Sequence, residues 1–105
     1  MADIKTQIEV RPKIAPKESI KEPGNYNVIY INDSVTTMEF VVETLTAVFS
    51  YARESAEALT VRVHEEGAAV VATLPYELAE QKGIEVTLLA RANGFPLQIK
   101  VEEDR

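Results

Sequence analysis

The chain has 105 residues, 46% of them hydrophobic, with no cysteine and a single histidine; this suits one globular domain with a modest core and excludes disulfides, thiolate metal sites and thiol nucleophiles. Residues 1–25 hold five Lys+Arg and four Asp+Glu, and residues 26–105 hold six and thirteen, which leaves the body with a net charge of −7. Such a body repels phosphate backbones, so nucleic acid is not an expected partner and a ligand presenting positive charge is favoured.

The N-terminus has neither the charged-then-apolar pattern of a signal peptide nor a run long enough to span a bilayer, so a cytoplasmic protein without a membrane partner is expected. Three of the five prolines (Pro12, Pro16, Pro23) fall in residues 1–25, among alternating charges and isolated Ile or Val. This stretch reads as a flexible tail, closed by Lys21-Glu22-Pro23-Gly24, with the ordered domain over residues 26–105. Tyr26 to Ile31 alternates as a strand. The pattern then changes to helical spacing, with Thr36 and Glu39 forming a T-x-x-E capping box ahead of a helix over 37–50 that buries Met38, Val41, Val42, Leu45, Val48 and Phe49.

A second helix is predicted over 52–64, with a seam of Ala52, Ala56, Leu59 and Val63, His64 in its last turn and Gly67 at its exit. Residues 68–74 read as a buried strand of small side chains. Pro75 opens a third helix that runs to about Asn93 and buries Leu78, Ala79, Val86, Leu89 and Ala90. Gly83 inside it costs roughly 1 kcal/mol relative to Ala, which implies that something packs close there. Asn93-Gly94-Phe95-Pro96 stops the helix, with Gly94 suited to a left-handed conformation, and a last strand alternates from Leu97 to Val101. The order strand-helix-helix-strand-helix-strand predicts an α+β fold with three helices on one face of a small three-stranded antiparallel sheet.

Asn32 and Asp33 end the first strand and His64 ends the second helix, so a compact fold can bring them together. Asn32-Asp33-Ser34 reads equally as a turn whose side chains bond their own backbone, and His64 as a residue that complements a helix dipole. Met38, Val41, Thr60 and Val63 lie in or beside apolar stripes, which pattern assigns to core as readily as to a pocket. No nucleophile stands beside a partnered base, no phosphate-binding or dinucleotide motif is present, and no enzyme activity, metal or cofactor is expected.

Several separated motifs in one order resemble the ClpS family, bacterial adaptors that deliver proteins with destabilising N-terminal residues to a Clp AAA+ protease. These are Tyr26-Asn27-Val28-Ile29 leading to Asn32-Asp33, Thr36-x-Met38-Glu39-Phe40-Val41, Phe49-Ser50-Tyr51, Val63-His64 with Gly67, Glu77-Leu78-Ala79-Glu80-x-Lys82 and Pro96-Leu97. The resemblance covers residues 26–101. It implies that Asn32, Asp33, Ser34 and His64 hold the α-amino group of a client's first residue, whose side chain enters a pocket of Thr36, Met38, Val41, Thr60, Val63 and Leu97. Leu, Phe, Tyr and Trp are the expected first residues, with Met38 screening out β-branched ones. Glu77 and Lys82 are the implied contacts with the N-terminal domain of the unfoldase, and a monomer is expected. An α-ammonium, with a reference pKa near ~8, offers three charged N–H donors, so acceptors such as an amide oxygen, a carboxylate and a neutral imidazole nitrogen suit it.

Four positions depart from the family pattern. Ser34 stands where a second acid is usual, Thr37 where proline is common and Thr60 where methionine often lines the pocket; Gly94 also replaces an acidic position of the unfoldase-facing surface. Ser34, Thr60 and Gly94 motivate an alternative, a divergent ClpS-fold interaction module that binds the unfoldase but has altered or lost its specificity for N-terminal residues.

Overall fold

The structure is a computed structural model that describes residues 24–105. The tail expected over 1–25 therefore lies outside the described residues except for Gly24 and Asn25, and Asn25 already opens the first strand. The elements are β1 (Asn25–Ile31), α1 (Met38–Phe49), α2 (Arg53–Glu66), β2 (Ala68–Pro75), α3 (Tyr76–Ala92) and β3 (Gln98–Glu103). Both outer strands run antiparallel to a central β1, in the order β2-β1-β3. Among the described residues helices pack on one face only, over Val28 and Tyr30 of β1 and Ala69 and Val71 of β2. The expected fold class and element order are both present.

Strand β2 is not buried on both sides as its run of small residues suggested. Its exposure alternates, and Val70 on the uncovered face is 41% exposed. The reason is its position at a sheet edge with helices on one side. The ladder also slips between Val28 and Ile29, where Val28 faces Ala72 and Ile29 faces Val70. Val71 is the extra residue of this β-bulge, and its carbonyl accepts a hydrogen bond from the Tyr51 hydroxyl.

Helix α1 begins one residue later than the capping-box reading required. Thr37 is the N-cap, its hydroxyl accepting from the Phe40 amide at 3.1 Å, so Thr36 is released for other bonds. At the far end Ser50 is left-handed with φ 63°. Inside the core the Tyr30 hydroxyl meets Thr44 Oγ1 at 2.7 Å, and Thr44 donates onward to the Val41 carbonyl at 2.8 Å. Thr44 spends its only proton on Val41, so Tyr30 is the donor of the pair. Burial pushes the Tyr30 hydroxyl's pKa well above the ordinary tyrosine value, against the opposing effect of the Thr44 bond.

Helix α3 buries a seam of small residues, Ala79, Gly83, Val86 and Ala90, and not its larger leucines. Leu78 and Leu89, expected inside, are 39% and 40% exposed. A Cβ on Gly83 would stand 3.4 Å from Ile99 Cγ2 and 3.5 Å from Val101 Cγ2, so the close approach implied by this glycine is that of β3 side chains. At the end of α3, Gly94 is left-handed (φ 77°), the Phe95 amide donates to the Ala90 carbonyl at 2.9 Å, and the Phe95 ring packs on Phe40.

Candidate functional site

Central strand β1 delivers Asn32, Asp33 and Ser34 to one end of the sheet. There Ile31 pairs with Ala68 on one side and with Gln98 on the other. One bond beyond the ladder, the Asn32 amide donates to the Gly67 carbonyl at 2.9 Å. Gly67 caps α2 in a left-handed conformation (φ 86°), with His64 in the preceding turn. Two residues distant in sequence, Asn32 and His64, are thus brought to the same corner of the fold by a strand end and a helix end tied together. Both are exposed. Among the described residues neither the Asn32 amide side chain nor the His64 imidazole makes a hydrogen bond, which leaves their acceptors available.

Asp33 is arranged differently. Its Oδ1 accepts from the amides of Val35 and Thr36, both at 2.7 Å, and its Oδ2 accepts from the Thr36 hydroxyl at 2.8 Å. Partial desolvation acts to raise its pKa, but the Thr36 backbone and hydroxyl bonds, the Val35 bond and the more distant Arg91 charge outweigh it and hold the carboxyl below its ordinary value. Most of the carboxylate's acceptor capacity is therefore spent on the turn; the group supplies order and negative charge at the corner. Thr36 buttresses that turn. Ser34 is exposed beside it.

The residues expected to line a side-chain pocket fall into two sets. Val41, Thr60, Val63 and Leu97 are buried, and Met38, at the start of α1, is 43% exposed. Val41, Val63 and Leu97 belong to the hydrophobic core, Met38 stands at the exposed start of α1, and Thr36 is engaged by the Asp33 carboxylate. Thr60 is not a polar intrusion, because its hydroxyl donates to the Ala56 carbonyl at 2.8 Å and only its methyl remains for apolar contact. Leu97 is held from outside by Arg91, whose guanidinium donates to the carbonyls of Leu97 at 2.9 Å and Phe95 at 3.0 Å.

Arg91 was not singled out by sequence. Its signal was a cation in the last turn of a helix just before the Asn-Gly-Phe-Pro stop, where it can reach the carbonyls of the following loop.

A hollow of about 240 Å³ is lined by Ile31, Asn32, Asp33, Pro96 and Gln98. Far from this corner, Glu77 is exposed in the first turn of α3. Lys82 is half-buried, and its ammonium donates to the Val48 carbonyl at 2.9 Å. It therefore complements the C-terminus of α1, a role that sequence spacing did not reveal. Among the described residues no group of three or more His, Asp or Glu could hold a metal, and no helix is long and apolar enough to cross a membrane.

Residues 21–100 match the family described as ATP-dependent Clp protease adaptor protein ClpS. The chain belongs to the ClpS family. A ClpS from Treponema denticola is 44% identical over 86 residues, covering 82% of this chain and 85% of its relative. Another from Oleidesulfovibrio alaskensis is 38% identical over 103 residues, covering 98% and 99%. Among solved structures, Agrobacterium tumefaciens ClpS2 bound to L-phenylalaninamide superposes with a TM-score of 0.77 at 35% identity, over 79% of this chain and all of that one. The chain is accordingly a ClpS-type adaptor of the ATP-dependent Clp protease and not an enzyme.

Proposed function

We propose that this ClpS adaptor binds the first residue of client proteins, gripping a free α-ammonium at the Asn32–His64 corner and accepting a large apolar side chain against Val41, Thr60, Val63 and Leu97. What supports the reading is the bond between the backbone amide of Asn32 and the Gly67 carbonyl, which ties the strand end that bears Asn32 to the helix end that bears His64. An α-ammonium satisfies the acceptors of both side chains with charge-assisted bonds. An internal peptide nitrogen has one uncharged N–H and leaves an acceptor unpaired, so the corner discriminates chain starts from chain interiors. Asp33 adds negative charge from within its turn, and Ser34 in place of a second acid lowers that charge without removing the acceptors.

Burying a Leu, Phe, Tyr or Trp side chain over Val41, Thr60, Val63 and Leu97 contributes about 1.5–3 kcal/mol, enough to separate these from Ala or Ser by tenfold or more. The related Agrobacterium structure holds L-phenylalaninamide, a free amine carrying an aromatic side chain, which is a ligand of this chemistry. Two departures from the family pattern lose force as reasons to favour the alternative module. Thr60 offers a methyl, and Gly94 occupies a left-handed turn that demands glycine.

The adaptor acts as a monomer and meets the N-terminal domain of the unfoldase through the exposed start of α3 around Glu77, with Lys82 ordering the helix end beneath. Fluorescence titration with short peptides beginning Phe, Leu, Tyr, Trp, Ala or Ser tests the reading. The four large residues should bind, Ala and Ser should bind at least tenfold more weakly, and Asn32→Ala or His64→Ala should weaken the binding of every peptide; equal binding of all six peptides to the unmodified protein refutes it.

A further inference from the structure

We infer that the adaptor also holds the client chain beyond its first residue, along a groove beside the free edge of β3; this rests on the proposed binding of an N-terminal residue at Asn32. Three hollows share walls in series. The one at Asn32 and Asp33, about 240 Å³, shares Ile31 and Gln98 with a second of about 530 Å³ that adds Thr87, Arg91 and Lys100. That hollow shares Thr87 and Ile99 with a third, about 320 Å³, bounded by Glu80, Gly83, Ile84, Leu88 and Val101. The result is one continuous path from the amine corner along the crevice between α3 and β3.

The path ends among exposed apolar side chains. Ile84 and Leu88 are 58% and 66% exposed, the two highest values among the large hydrophobic residues of the described chain. Beside them β3 is, among the described residues, an edge strand paired only with β1. The Asp104 amide donates inward to the Asn25 carbonyl, and in an antiparallel ladder this parity turns the amides and carbonyls of Ile99, Val101 and Glu103 outward. Among the described residues the edge therefore combines outward-facing main-chain donors and acceptors with hollows for alternate side chains, the requirement for adding a peptide strand.

A client whose amine is held at Asn32 starts beside Gln98 and proceeds toward Glu103, parallel to β3. The six residues of β3 offer about 20 Å of edge, so roughly six client residues can be accommodated. An extended, newly engaged client has unpaired main chain and uncovered apolar side chains in this register, and the continuity with the amine corner makes it the occupant in preference to a second copy of the adaptor or the segment 1–23.

The test compares two C-terminally labelled ligands on the full chain, phenylalanine in a two-residue amide and the same start extended by about six residues of apolar and polar alternation. The long ligand should bind about tenfold more tightly, and Ile84→Glu/Leu88→Glu should remove that advantage while leaving the short ligand unchanged. N-methylation at alternate positions of the long peptide should have the same effect on the unmodified protein, so the conclusion does not rest on one variant. Equal affinities for the two lengths, or an advantage that survives in the double variant, overturns the inference. So does a photo-reactive phenylalanine analogue at position 88 that cross-links a second copy or residues 1–23 in the presence of saturating long peptide. Failure of the short ligand to bind refutes the N-terminal-residue reading itself, a distinct result.

Discussion

Thr44→Val should destabilise the domain more than its isosteric shape suggests, because it removes the acceptor for a hydroxyl with no access to water. Tyr30 is 0% exposed and Thr44 2%, and their oxygens lie 2.7 Å apart. Leaving that buried hydroxyl without a partner costs about 1–3 kcal/mol, whereas Tyr30→Phe, which leaves Thr44 bonded to Val41, costs about 0.5–1.5 kcal/mol. The double variant should resemble Tyr30→Phe alone, falling short of the sum of the singles by about 1 kcal/mol. In a domain of this size each kcal/mol lowers the melting temperature by about 4–8 °C, so circular dichroism melts and urea titrations resolve the difference. The effect bears on function, since the same relay fixes the α1 turn that carries Val41. Because burial raises the Tyr30 pKa, the unfolded chain releases the phenolic proton first, and stability should fall as pH rises above 10 in the wild type and less in Tyr30→Phe. A Thr44→Val variant within about 0.5 kcal/mol of wild type, or strict additivity of the pair, would refute the reasoning.

Further outcomes follow from single contacts. Asp33 has a lowered pKa, so its contribution is present above the unfolded value of 3.8 and is lost as pH falls through the lower folded value; Asp33→Asn should flatten acid melts in that window. Arg91→Met should weaken binding of Phe-initiated peptides several-fold while changing stability by only about 1–2 kcal/mol, because two carbonyl contacts that hold the Leu97 loop are lost. Gly83→Ala should leave the fold intact and raise stability by about 0.5–1 kcal/mol in urea titrations, since a methyl would meet only side-chain methyls at van der Waals distance.

Legibility followed the physics of each element. The switch from alternation to helical spacing located β1, α1 and the junction between them, and Gly67 and Gly94 marked left-handed exits that the backbone adopts. The capping box was misplaced by one residue because Thr36 and Thr37 are both competent caps; the choice fell to the Asp33 carboxylate, which claims the Thr36 hydroxyl. Hydrophobicity misjudged α3, where close approach to the sheet selects the small seam through Gly83 and turns Leu78 and Leu89 outward. It also overestimated the burial of β2, since a single strand's composition does not say how many faces are covered. At the site, types and order pointed to Asn32 and His64, but their meeting depends on the register between β1 and β2, a long-range pairing that no local pattern encodes. The clamps by Arg91 and Lys82 on distant carbonyls were equally invisible.

Recognition of a chain start is decided by a paired titration with one Phe-initiated peptide and its Nα-acetylated twin, identical in every other atom. The free amine should bind and the acetylated peptide should lose essentially all affinity, because acetylation removes the charge and two of the three N–H donors that the amine offers to the Asn32–His64 corner. Equal affinity for the two would contradict the account, for the adaptor would then be reading an aromatic side chain and not a chain start.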